Sequence, residues 1–117
     1  MAVTSDHSRI DERSLAMHRL VAEKLASDPS LIDLARTNVH RWQASYDVRS
    51  PALAEWEQIL EGSIADILAL LVDRSENATR LRQSSPFAGA LTETERKAIY
   101  ESYSARTYHQ GGQPNFG

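Results

Sequence analysis

Three features of this 117-residue sequence point to an all-α domain. Apolar residues recur three and four positions apart over long stretches, as one face of a helix requires. Ser, Asp or Thr repeatedly stands ahead of a proline or an acidic residue, the pattern that starts helices. Nowhere do apolar and polar residues alternate as a half-buried strand would need. The expected architecture is a small helical bundle of about five to six helices with a C-terminal loop and a short final helix.

The first helix is expected from Ser8 to Ser27, with Leu15, Met17, Leu20, Val21 and Leu25 at helical spacing. Asp28-Pro29 then stops it and starts another, Asp28 as cap and Pro29 where a missing N–H costs nothing. That second helix runs to about Tyr46 and gathers Leu31, Leu34, Ala35, Asn38, Val39 and Trp42 near one face. Ser50-Pro51 repeats the device for a third helix through Leu60, with Leu53, Trp56, Ile59 and Leu60 inward and Gly62 as its closing residue. Ser63 reopens helix with Asp66 as capping partner. The fourth helix, Ile64 to Asp73, is apolar nearly all round and is therefore expected to be the central, most buried element. A polar helical stretch from Glu76 to Gln83 leads into a loop. Thr92 and Glu95 form a capping box for the last helix, ending near Ser104.

Length and composition, 41% hydrophobic and 25% charged, describe one globular domain with a core of its own. Residues 8–105 are expected to form it, with 1–7 and 106–117 as flexible ends. Without cysteine there is no disulfide, thiolate metal site or cysteine nucleophile, which suits a cytoplasmic protein. The longest apolar run, Ile67 to Val72, is far too short to cross a bilayer, and the N-terminus has no signal-peptide core. A net charge of -3 disfavours nucleic acid as a partner, because phosphate neutralisation supplies most of that affinity.

Catalytic chemistry finds little to work with. His7, His18, His40 and His109 form no H-x-x-x-H pair, so the helical zinc signature is missing. Glu57 and Glu61 share a helix face but lack a Glu-x-x-His partner, and read as a solvated surface. Ser84 and Ser85 have no histidine, lysine or G-x-S-x-G setting. No catalytic residue, metal site or cofactor is expected. Helix–Gly62–helix looks superficially like a helix-turn-helix, but its second helix would be apolar and carry Asp66, which suits a core rather than a major groove.

The segment that breaks the helical pattern is Arg80-Leu81-Arg82-Gln83-Ser84-Ser85-Pro86-Phe87-Ala88-Gly89. Pro86 forbids helix and pushes Ser85 toward extended backbone, and Gly89 allows a turn. Cationic and polar groups beside one aromatic suit recognition of a partner, with Arg80, Arg82, Gln83, Ser84, Ser85, Pro86 and Phe87 as candidate partner-binding residues. The ordinary alternative for Arg80 is an ion pair with Glu76.

With Ala35-Arg36-x-Asn38-Val39-x-Arg41-Trp42 and Pro51-Ala52-Leu53-x-Glu55-Trp56-x-x-Ile59-Leu60, this segment resembles small bacterial helical proteins of the toxin–antitoxin kind over residues 15–100. The resemblance implies an antitoxin that binds and neutralises a cognate toxin enzyme, of nuclease or nucleotidyltransferase type. In that reading Arg80 and Arg82 meet acidic groups of the toxin and Phe87 anchors, so Arg82→Ala would weaken binding without unfolding the domain. A helical adaptor, a homo-oligomeric scaffold and, further off, a transcriptional regulator are the alternatives.

Overall fold

Polar residues ahead of the apolar stretches do cut this chain into helices. In the computed structural model, which describes residues 6–45 and 50–103, the elements are α1 (Asp6–Ser27), α2 (Leu31–Ser45), α3 (Pro51–Ile59), α4 (Ile64–Leu71), α5 (Glu76–Arg82) and α6 (Glu93–Ser102). No strand occurs among the described residues. Helix α1 begins at Asp6 and so takes in two residues expected in the flexible N-terminus. The remainder of that end, the 106–117 tail and the boundary placed at Tyr46 lie outside the described residues.

The caps have ordinary geometry. Hydroxyls of Ser50, Ser63 and Ser75 accept from the amides of Leu53, Asp66 and Ala78, each three residues on. Thr92 and Glu95 make the reciprocal box, at 2.8 and 3.1 Å. Helix α2 starts at Leu31 rather than at Pro29, and the Asp28 carboxylate accepts from the Ser30 N–H at 3.2 Å in the turn before it. Gly62 is not a left-handed helix cap; α3 ends through right-handed Leu60 and short-range bonds such as Gly62 N–H to the Ile59 carbonyl at 3.0 Å. The left-handed glycine among the described residues is Gly89, with φ of 92°.

A further correction concerns the centre of the bundle. Helix α4 buries Ile67 and Leu71, but Ala65, Asp66 and Ala69 face outward. The hub is α1, which packs against α2, α4, α5 and α6. With 22 residues it is long enough to reach all four, whereas the 8 residues of α4 make barely two turns. An apolar sequence favours burial, but length decides which helix can serve as an axle.

Around α1 the core gathers Val21, Leu25, Ile32, Val39, Trp56, Leu60, Ile67, Leu71, Leu81 and Phe87. Trp56 is fully buried, its ring meeting that of Phe87 edge-to-face at 6.1 Å. Its indole N–H donates to the Leu81 carbonyl at 2.9 Å, so the largest core side chain also ties α3 to α5.

Arg82 is buried too, at 5% exposure. Its Nη1 donates to the Asp73 carbonyl at 2.6 Å and reaches those of Leu71 and Leu70 at 3.4 and 3.5 Å. Leu71 is the last residue of α4 and Asp73 lies just beyond it, so Nη1 sits at the C-terminal end of that helix, where a cation is also favoured by the helix dipole. Nη2 donates to the Thr79 hydroxyl at 3.3 Å. Burial pushes this guanidinium below the ordinary arginine value, with Asp73 and Asp11 opposing the shift. Arg82 thus joins α4 to α5 from inside, and its removal is expected to disturb the fold. Replacing it with Met should take the Arg82 donor from the Leu71 and Asp73 carbonyls and cost about 2–3 kcal/mol in a urea unfolding titration.

Candidate functional site

Between α5 and α6 the chain crosses the end of the core without regular secondary structure, from Gln83 to Leu91. Two side chains fix its path. The carboxamide of Asn38, buried on α2, donates from Nδ2 to the carbonyls of Pro86 at 2.8 Å and Ala88 at 2.9 Å. Its Oδ1 accepts from Arg41 Nη2 at 2.7 Å, which sets the orientation of the amide. Phe87 drops into the core beside Trp56, and Pro86 is buried with it. The left-handed turn at Gly89 then redirects the chain toward α6, while Ala90 N–H returns to the Phe87 carbonyl at 3.0 Å.

The candidate partner-binding residues therefore separate into two groups. Arg82, Pro86 and Phe87 point into the protein and hold the segment in place. Gln83 is exposed and Ser84 and Ser85 are half-buried, so these three form the outer ridge. Arg80 is on the surface, but its guanidinium makes a two-pronged pair with Glu55 of α3 at 2.8 and 3.2 Å. The partner is Glu55 of α3 rather than Glu76 in the first turn of α5 itself. The same contact holds the Glu55 carboxyl below the usual carboxylate range.

Clefts flank the ridge on both sides, and Gln83 and Ser85 line both. The larger, about 520 Å³, lies between α1 and α6 and is lined by Ser14, Met17, His18, Val21, Arg82, Phe87, Ala88, Gly89, Leu91, Glu93, Arg96 and Tyr100. The smaller, about 300 Å³, is bounded by Trp42, Ser50, Leu53 and Ser84. Half-buried Trp42 offers an aromatic surface beside two hydroxyls, and Trp and Tyr are common anchors of protein interfaces.

Helix α6, the outer wall of the larger cleft, has no fully buried residue. It is held by Ile99 against the core, by Lys24 Nζ to Glu95 at 2.8 Å, and by Arg13 stacked on Tyr100. Glu95 serves both its own helix cap and Lys24, and that hydrogen bonding keeps its carboxyl below the ordinary value. On the inner wall His18 is buried, and its Nδ1 donates to the Ser14 carbonyl at 2.7 Å. This cleft histidine was missed as a site residue, because an isolated His within an apolar heptad carries no motif. His40, by contrast, is exposed.

No group of three or more His, Asp or Glu able to hold a metal ion occurs among the described residues. No helix among them is long and apolar enough to cross a membrane. Comparison with known protein families, curated proteins and solved structures finds no match to this chain.

Burial lowers the His18 pKa from 6.5, with Arg82 adding to the effect and the Ser14 hydrogen bond opposing it. The neutral ring is thus the folded form near neutrality. Below pH 6.5 the unfolded chain binds a proton that the folded chain resists, so stability falls as pH drops through that value. The acidic groups Glu55 and Glu95, whose values are lowered from 4.5, add their losses only at more acid pH. Denaturant midpoints between about pH 5 and 7 should therefore decline toward acid in the wild type and flatten in His18→Gln.

Proposed function

We propose that this chain is a non-enzymatic protein-binding module, an antitoxin that docks on a cognate toxin enzyme and neutralises it. The observation that carries the docking reading is where the fold spends its buried polar groups. Asn38 and the Trp56 indole lie at the end of the core and bond the carbonyls of Leu81, Pro86 and Ala88. Arg82 anchors the base of the same segment. Buried polar groups of this kind rigidify what they bind when they are satisfied. Here they present Gln83, Ser84 and Ser85 as a fixed ridge between two clefts. A preformed surface lowers the ordering cost of association.

The toxin-neutralising part rests on the resemblance in the Arg80–Gly89, Ala35–Trp42 and Pro51–Leu60 stretches. In structural terms those three stretches are the ridge, the helix that supplies Asn38 and the helix that supplies Trp56. The quoted residues thus meet at one place. Neutralisation would work by covering the enzyme's active site, with the ridge and Trp42 as contacts and Arg82 and Phe87 acting from beneath.

The test is affinity capture from the host with tagged wild type and with Ser84→Arg, followed by activity assays on the captured protein. A stoichiometric enzyme, inhibited by wild type and bound at least about tenfold more weakly by Ser84→Arg, is the expected result. A chain that only self-associates, or a partner indifferent to Ser84→Arg, would overturn the proposal.

A further inference from the structure

Arg80 and Arg82, the cations of the recognition segment, are already engaged, one by Glu55 and one by the end of α4. Arg13 and Arg96 meet an aromatic ring instead. The Arg13 guanidinium of α1 stands 4.1 Å from the centre of the Tyr100 ring, and that of Arg96 on α6 stands 5.7 Å from the same centre. Those distances place the two charges within about 10 Å of each other, roughly one Debye length at 0.1 M salt, so they repel. The tyrosine ring attracts each cation but neutralises neither.

Lys24, Arg36, Arg74 and Arg80 each reach a carboxylate, on Glu95, Asp33, Glu12 and Glu55. Among the described residues no carboxylate forms an ion pair with Arg13 or Arg96. Two N–H donors close by are also unused: Nε of Arg13 and Nε of Arg82 are buried without an acceptor. Arg82 and Arg96 line the larger cleft, as does Tyr100, which remains 40% exposed. The opposing charge on that lining is Glu93, while His18 is held toward its neutral form by burial.

We propose that the cleft between α1 and α6 receives an acidic side chain of the partner protein, its carboxylate taken by Arg96 beside Tyr100. This rests on the protein-docking reading and names the chemistry that the partner brings. Guanidinium groups suit carboxylates because their N–H bonds can meet both oxygens. The occupant is a protein segment rather than a free anion for two reasons. Met17, Val21 and Leu91 give the cleft an apolar wall that an inorganic anion would not use, and Gln83 and Ser85 continue it into the ridge. An acidic residue next to an apolar one fits both requirements. Arg96 lies on α6, outside the Arg80–Gly89 segment, so the charge recognition assigned to that segment falls to its neighbour.

The experiment is selection of random displayed peptides of about twelve residues against the full-length chain, followed by anisotropy titrations of the enriched sequences. Expected are sequences pairing Asp or Glu with an apolar residue. Their affinity should fall about tenfold or more in Arg96→Gln and rise in Glu93→Gln. Arg80→Gln should leave it unchanged, as should about 10 mM inorganic phosphate. Circular dichroism of Arg96→Gln, whose side chain is exposed, verifies that the helices persist. Failure to enrich any peptide, a neutral or basic consensus, insensitivity to Arg96→Gln, or displacement by phosphate would overturn the inference. Peptides sensitive to Ser84→Arg but not to Arg96→Gln would overturn it while leaving the docking reading intact.

Discussion

Between α5 and α6 the backbone from Pro86 to Gly89 crosses the end of a hydrophobic core with no helix or sheet to satisfy its carbonyls. Buried carbonyls left without donors cost about 1–3 kcal/mol each, enough to unseat a loop in a domain of this size. The Asn38 carboxamide meets that constraint with one pair of N–H bonds, to Pro86 and Ala88. Arg41 occupies the remaining oxygen and so prevents the amide from turning over. With the crossing fixed, Phe87 can reach Trp56, and the ridge above is held at one height between its clefts. The site depends on this bond pair more than on any residue of the ridge itself.

Arginine placement divides structural work from surface chemistry. Arg82 is spent inside on the carbonyl end of α4, and Arg41 on Asn38. Arg36 reaches the Leu60 carbonyl at 3.0 Å and so ties α2 to the end of α3. Arg80 clips α5 to α3 through Glu55. Each of these contacts joins helices or fixes a turn, which matters in a bundle whose helices, α1 apart, are all 15 residues or shorter. Arg13 and Arg96 share one aromatic ring, that of Tyr100 on the wall of the α1–α6 cleft.

The helices were legible because their signals are local. Ser50-Pro51, Ser63, and Thr92 with Glu95 start helices through bonds spanning three residues, which a sequence displays directly. The inward faces of α1 to α3 followed from spacing in the same way. What spacing could not show was which arginine meets which acceptor. Arg80 has a plausible partner four residues away in Glu76, yet it pairs across the bundle with Glu55, 25 residues distant in sequence. Arg82 looks like surface for the same reason: its acceptors are backbone carbonyls, present at every residue and distinguished by no side chain. Phe87 in a polar loop could equally have been an exposed anchor, and only the placement of Trp56 draws it inward. The break at Pro86 marked the place where helix gives way to irregular backbone. Which of its faces is outward was a tertiary property.

The central claim is that Gln83 to Leu91 is shaped by the fold before any partner arrives. Amide hydrogen exchange on the chain alone tests it most directly. The amides of Ser84, Ser85 and Ala90 donate to the carbonyls of Leu81, Arg82 and Phe87 at 3.0–3.2 Å. The account predicts that they exchange through openings comparable to those of the α5 amides, because Asn38, Trp56 and Arg82 hold both together. Exchange at the rate of an unstructured peptide, with α5 still protected, would contradict it and make the segment one that orders only on binding.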